Sequence, residues 1–538
     1  MTTAAMSVQD ALWLTMDRPN NLMVVDGAMI LRGTPTPEAM TDLMSRTAKR
    51  FPVLARRPVR HGTGWAWEDD PDFDVARHLN ERTASEPMSL VDVQHTLAAM
   101  RSEPLPKDRA LWQCTVMSPV TLDDGTLGSA VISRFHHSIA DGVRLTQLIL
   151  GMCETDDAGV AAVVARQPAN RVGAGSEAAD TDSDASLQGK DASDTDEDDD
   201  SVVDVAWQTA TDAVGKTVRG LSDVAWSVAH AARHPRTTAT KAVTQGAQAV
   251  TDAPGMAASA VSAGIAGVND SVGLLRHPDR MLDALDVLGV PSSRGTNDVG
   301  SVAKLALASS EATVWTGEPG THKALAWSDQ LPLADIKAVG KDRGMTINDV
   351  LLAAIAGALR RYLADRNESL DEVIWMVPVN LKPFEDNLPP DLGNYFALVF
   401  LPMPLDSDDP DERLAQMHHR MDRIKHSDEA VLTFGLQRVV STSPSQIAFF
   451  LTNFFANKAV GVLTNVPGPR APMTFAGEPV EQVVGFAPCS GNQPMTATIF
   501  SYNGGVTVGF ATDADLIAEP DLLVRYVVDD LTSMGVPT

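Results

Sequence analysis

The sequence predicts a mixed α/β protein of two domains joined by a long linker, and three observations carry that prediction. The chain has 538 residues, more than one hydrophobic core ordinarily serves, and 44% of them are hydrophobic, enough to fill two cores. Short strand-like and helix-like stretches alternate toward both ends of the chain. Between them the composition changes abruptly, so the boundaries fall at 1–160, 161–300 and 301–538.

In the first domain, Leu22 to Leu31 reads as a strand, Pro37 to Lys49 as a helix, and Leu111 to Val116 and Gly128 to Phe135 as strands. A helix from Val143 to Met152 follows at once. The second domain opens with a strand, Lys323 to Trp327, then helices from Leu331 to Asp342 and from Asn348 to Leu363. Val373 to Val379, Phe396 to Pro402, Val460 to Asn465 and Gly504 to Ala511 read as further strands. No internal repeat is visible.

The linker has two parts. From Glu177 to Asp204 twelve acidic residues face Lys190 alone, with no aromatic and few aliphatic residues, so this run cannot bury enough surface to order itself. It is a solvated linker or an acidic interaction tail. Further on, Trp207, Ala210, Val214, Thr217, Leu221, Ala225 and Val228 recur at three- and four-residue steps, the mark of an amphipathic helix with a narrow apolar face. Weaker helical patterns run from Ala239 to Val250 and on to Val272. Such helices either pack as a crossover against the domains or lie on a membrane or lipid droplet.

A formal net charge of −27 argues against nucleic acid and against electrostatic capture by anionic lipid. Cys114, Cys153 and Cys489 form neither a metal-type pair nor an even disulfide framework, which fits a reducing cytoplasm. The N-terminus lacks the basic and apolar regions of a signal peptide, and the greasy stretch from Ile447 to Leu463 is interrupted by Thr452, Asn453, Asn457 and Lys458. The expectation is a cytoplasmic chain without a transmembrane helix.

The chemistry concentrates in Val131-Ile-Ser-Arg-Phe-His136-His137-Ser-Ile-Ala-Asp141-Gly142. A neutral imidazole can take the proton of an alcohol as it attacks, and side chains alternate along a strand, so one histidine of the pair should meet substrate. Asp141 can fold back across the turn to orient groups around the ring, and Gly142 permits close backbone approach or a positive φ. The plainer reading is a buried structural pair. Asn348-Asp349, at the start of an apolar helix, reads as an N-cap and also as a helix-start amide suited to a bound carbonyl or oxyanion.

Other motifs fail. Gly215-Lys216-Thr217 imitates the end of a phosphate loop but has Ala210 where the first glycine belongs. His418-His419 sits in a charged helical run without further metal ligands nearby, so a solvated helix face accounts for it. There is no GxSxG elbow, which disfavours covalent serine chemistry.

Taken in order, Asp10, Leu111-Trp112, His136 to Gly142, Asn348-Asp349-Val350, Val377-Pro378-Val379-Asn380-Leu381, Gly393-Asn394 and Asn465-Val-Pro-Gly-Pro469 resemble the bacterial wax ester synthase/diacylglycerol acyltransferase family. The histidine motif alone is shared with peptide-synthetase condensation domains; the ordered set is more specific. The resemblance implies two chloramphenicol acetyltransferase-like α/β domains with the active site in a tunnel between them. It implies that His137 acts as base, that His136, Asp141 and Gly142 support it, and that Asn348 and Asp349 contribute from the second domain.

The activity implied is transfer of an acyl group from acyl-CoA, a substrate rather than a cofactor, to a fatty alcohol or diacylglycerol, with no metal and no acyl-enzyme. Peripheral contact with a membrane or lipid droplet and the absence of nucleic acid complete the expectation. Ala110 stands where the family usually has Pro, Thr464 where it often has Ser, and the insertion from about 174 to 284 is long. Two alternatives stay open: a condensation-type enzyme joining acyl groups to amines, and a non-catalytic lipid-droplet protein that keeps the fold.

Overall fold

The computed structural model describes residues 3–62, 64–155, 312–380, 388–394, 396–425 and 456–537. These lie within one compact unit drawn from residues 1–172 and 309–538. The acidic run, the phosphate-loop mimic and the helices read between Val205 and Val272 lie outside the described residues.

The chain begins with β1 (Thr3–Ala5), α1 (Val8–Met16) and β2 (Val24–Leu31), then α2 (Pro37–Arg50), β3 (Arg56–His61), β4 (Gly64–Asp69) and β5 (Leu79–Met88). It continues through α3 (Leu90–Met100), β6 (Trp112–Thr121), β7 (Leu127–His136) and α4 (Gly142–Leu150). Beyond the linker come β8 (Lys323–Trp327), β9 (Leu331–Pro332), α5 (Leu333–Asp342), α6 (Ile347–Ala364), β10 (Glu372–Asn380) and β11 (Phe396–Pro404). The chain closes with α7 (Pro410–Lys425), β12 (Gly461–Pro467), β13 (Thr474–Phe475), β14 (Glu478–Phe486), β15 (Met495–Tyr502), β16 (Gly505–Asp513) and α8 (Pro520–Ser533).

Two large sheets form the frame. One runs β13-β14-β2-β7-β6-β5; the other runs β11-β10-β12-β15-β16-β8, with β9 on β16. β7 lies between β2 and β6 and is buried along nearly its whole length, which explains why consecutive apolar residues, Ala130 to Ile132, can face both sides of it. Helix α6 is buried on almost every face, and its small residues allow the tight fit. At Gly357 a Cβ would come within 2.6 Å of Arg413 Nη2, so only glycine lets the buried Arg413–Asp530 pair approach the helix.

The boundary at residue 301 does not divide the sheets. β13 and β14, from the C-terminal half, belong to the first sheet, where β14 pairs antiparallel with β2 from Val480↔Leu31 to Phe486↔Asp26. A core cluster accordingly mixes Ala28, Leu97 and Ile132 with Leu325, Trp327 and Phe486. The helix expected from Leu331 starts at Leu333, because Leu331 and Pro332 pair with β16. Most other strands and helices fall within a few residues of their expected limits. Among the described residues no helix is long and apolar enough to cross a membrane; Ile447 to Leu463 is described only in part.

Candidate active site

β7 ends at His136, and the chain then turns through Ser138 and Ile139 into α4, whose N-cap is Asp141. Strand alternation sends the two imidazoles different ways. His136 is buried away from the cavity, its Nδ1 accepting from the Ser138 amide at 3.1 Å and its Nε2 3.8 Å from the Asp17 carboxylate. His137 faces a cavity of about 210 Å³ lined mainly by apolar side chains.

This cavity is walled by α1, by the loop and first turns of α4, by β10, β11 and β12, and by the end of β14 with Ala487, Pro488 and Ser490 just beyond it. Its few polar groups include His137, Asp141, Thr146, Thr464 and Asn465. The Trp13 ring stacks on His137 with centroids 4.0 Å apart and planes at 25°, and Phe396 lies 5.7 Å away. Burial pushes the His137 imidazole down to about 4, more than its own backbone and the Asn394 hydrogen bond raise it, so the ring is neutral near pH 7. Burial also pushes His136 down, against the opposing pull of Asp17.

Asp141 accepts from the Arg144 amide at 2.9 Å and caps α4, while its own amide donates to the Gly393 carbonyl at 3.3 Å. The cap fixes the turn that follows His137, and Asp141 also lines the cavity. Gly142 does not adopt a positive φ. A Cβ there would meet nothing within 4 Å, so the missing side chain leaves space at the wall of the cavity.

The cap of α6 is Thr346, not Asn348. Thr346 accepts from the Asp349 amide at 3.2 Å, and Asp349 returns the bond by accepting from the Thr346 amide at 2.9 Å, a reciprocal box whose cap lies two residues earlier than expected. Asn348 stands behind the cavity instead, accepting at 2.8 Å from Nδ2 of Asn465, which lines it. His418 is not merely on a solvated face: its Nδ1 lies 2.8 Å from Oδ2 of the fully buried Asp349.

Asn394 was in the resemblance without a role. Its Oδ1 is 2.9 Å from His137 Nδ1, and its Nδ2 donates to the His137 carbonyl at 3.0 Å and to Asp10 at 2.7 Å. Asp10 is itself pushed above the usual carboxyl value by burial, only partly offset by hydrogen bonds from Ser7 and Asn394. Among the described residues no cluster of ligands could hold a metal ion.

The profile of the wax ester synthase/diacylglycerol acyltransferase catalytic domain matches residues 6–264, and that of the family's C-terminal domain matches residues 392–535. Over 527 residues the chain is 24% identical to a Mycobacterium tuberculosis (strain H37Rv) protein named "Probable diacyglycerol O-acyltransferase tgs1", covering 96% of this chain and 91% of that one. Its structure is similar to the wax ester synthase/diacylglycerol acyltransferase from Marinobacter aquaeolei VT8, with a TM-score of 0.57 and 15% identity over 99% of this chain and 98% of that one. A condensation domain, the first of the CDA synthetase, matches with a TM-score of 0.50 and 13% identity over 100% and 98%. At such identities both structures speak for the fold alone, and they bear out the mixed α/β architecture expected from the motifs.

Proposed function

The chain belongs to the wax ester synthase/diacylglycerol acyltransferase family, and on that basis we propose that it transfers the acyl group of a long-chain acyl-CoA to the hydroxyl of a fatty alcohol or a diacylglycerol. The products are wax ester or triacylglycerol and free coenzyme A. The observation that carries this reading is a neutral, buried His137 opening on an otherwise mainly apolar cavity between parts of both sheets.

In the proposed reaction, Nε2 of His137 removes the hydroxyl proton as the acceptor oxygen bonds to the thioester carbonyl carbon. The tetrahedral oxyanion sits near the first turn of α4, where Gly142 and Val143 form part of the wall and the helix N-terminus carries partial positive charge. Its collapse breaks the carbon–sulfur bond. The thiolate of coenzyme A then takes the proton from His137, which restores the neutral base. His136 and Asp141 hold the motif in shape, and Asn348 fixes the amide of Asn465 at the far wall. The apolar lining keeps water, the competing nucleophile, from the thioester.

Peripheral contact with a membrane or lipid droplet, on the cytoplasmic side, is part of the same proposal. It rests on the insolubility of the acceptors and on the narrow apolar face read between Val205 and Val228.

The test is purified protein with palmitoyl-CoA, offered hexadecanol, diacylglycerol and hexadecylamine in parallel, with thiol release and lipid product both followed. Ester formed in step with thiol supports the proposal. Amide as the main product, or no transfer to any acceptor, contradicts it.

A further inference from the structure

The hydrogen bonds around Asn394 determine which nitrogen of His137 carries the proton. A peptide carbonyl only accepts, so the Asn394 atom 3.0 Å from the His137 carbonyl must be the amide nitrogen. The same nitrogen reaches Asp10 Oδ1 at 2.7 Å. The other end of the amide, an oxygen that likewise only accepts, then faces His137 Nδ1 at 2.9 Å. Nδ1 must therefore be the donor, and a neutral imidazole has one N–H, so Nε2 keeps its lone pair.

We propose that Asn394 is a positioning residue that locks His137 in the Nδ1–H tautomer and so makes Nε2 the base. This inference rests on the reading of His137 as the base. Asn394 comes from 257 positions along the chain, yet the surrounding bonds leave it little freedom. Gly393 adopts φ 81°, a conformation that favours glycine, and exchanges backbone hydrogen bonds with the motif loop: its amide donates to Ile139, and it accepts from Asp141. The buried Arg144 guanidinium donates to the Leu392 carbonyl and fastens the same segment to α4.

Asp10 supplies the third tie. It lies on α1, the helix whose Trp13 stacks on His137, so one helix holds both the ring and the amide that orients it. Both Asn394 and Asp10 are buried. An amide in this position selects the tautomer without placing a full charge against the ring, as a carboxylate would. During transfer the proton arrives on Nε2 and leaves from Nε2, while the Nδ1 proton stays with Asn394 throughout.

The test combines nitrogen NMR of protein labelled with ¹⁵N-histidine with steady-state kinetics on the wild type, Asn394→Ala and Asn394→Asp. The wild type should show His137 protonated at Nδ1. Asn394→Ala leaves the ring only its hydrogen-bonding contact with its own backbone, so it should give a tautomer mixture and lower kcat about 10²-fold, with KM for acyl-CoA changed by no more than about threefold. Asn394→Asp keeps an oxygen opposite Nδ1, and its second oxygen, 2.7 Å from Asp10, shares one proton with that buried carboxyl, so the variant should retain the tautomer and a kcat within about tenfold of wild type.

A wild-type ring protonated at Nε2 overturns the proposal outright. So does an alanine variant with the wild-type tautomer and rate, or an equal loss in both variants without a tautomer change, which would mark a purely structural role. Thermal midpoints accompany each measurement; if Asn394→Ala does not fold, the wild-type and aspartate spectra decide. If the wild type transfers no acyl group, the function proposed above fails, and the spectra still decide the tautomer.

Discussion

Trp13→Ala removes the ring that lies 4.0 Å from His137, and two separable effects follow from that one contact. Trp13 is half-buried and also lies 6.1 Å from Phe396, so its loss should cost roughly 2–3 kcal/mol of stability, about 1 kcal/mol of it from stacking. The second effect is on the base. Burial holds the His137 imidazole down at about 4, and uncovering one face admits water and lets it rise toward its free value of about 6.5.

The sign follows from the form that acts. As the proposed base, His137 acts as the neutral ring, so activity should fall as pH drops through its pKa. With that value at about 4, roughly nine-tenths of the wild type is neutral at pH 5; with a value near 6, about one-tenth would be. The ratio of activity at pH 5 to that at pH 7.5 should therefore fall from about 0.9 to about 0.1 in Trp13→Ala. The assay is thiol release from palmitoyl-CoA with hexadecanol between pH 5 and 8.5 at constant ionic strength, with far-ultraviolet circular dichroism to confirm folding at each pH. A variant whose profile keeps the wild-type shape, or a wild type that itself titrates near 6.5, would refute the reasoning.

Gly142→Val should keep the wild-type thermal midpoint within a few degrees, because the added Cβ meets nothing within 4 Å, yet lower kcat/KM at least about tenfold by filling space beside His137. Paired kinetics and melting curves check both halves, and an unchanged kcat/KM would count against the cavity as the substrate site. Asp26→Ala strands the buried Arg134, whose Nε lies 2.9 Å from the carboxylate, and Arg101, at 2.7 Å; urea unfolding should register a loss of about 3–5 kcal/mol, and a loss below 1 would show the cluster to be dispensable. Asn348→Ala frees the Asn465 amide and should reduce kcat/KM about tenfold with little change in stability; equal falls in both would reassign it to the fold.

The histidine motif was legible because strand periodicity is local. An apolar run ending in two histidines and followed by an Asp-Gly turn dictates a buried strand, one imidazole to each side and a helix cap, and β7, His136, His137 and Asp141 have that arrangement. The partners of those residues were not legible, since each comes from a distant segment. Asn394 reaches His137 only because Gly393 docks on the motif loop, and β14 joins β2 across more than four hundred residues; nothing in either segment alone specifies such a pairing.

The cap lies two residues before Asn348: Thr346 and Asp349 satisfy the capping pattern together, which releases Asn348 to meet Asn465. His418 looked solvated because its helix is charged. Its partner, Asp349, is buried on another helix, where no periodicity in α7 could reveal it. Pairs such as these depend on how helices pack, and packing is set by the whole core.

The most direct measurement compares His137→Ala with His136→Ala in wax ester and triacylglycerol formation, following product and thiol together and checking each variant's thermal midpoint. With His137 as base, His137→Ala should lose roughly 10²–10⁴-fold in kcat while remaining folded, and His136→Ala, whose ring points away from the cavity, should lose far less. A folded His137→Ala that keeps its rate, or equal small losses in the two variants, would contradict the assignment of the base.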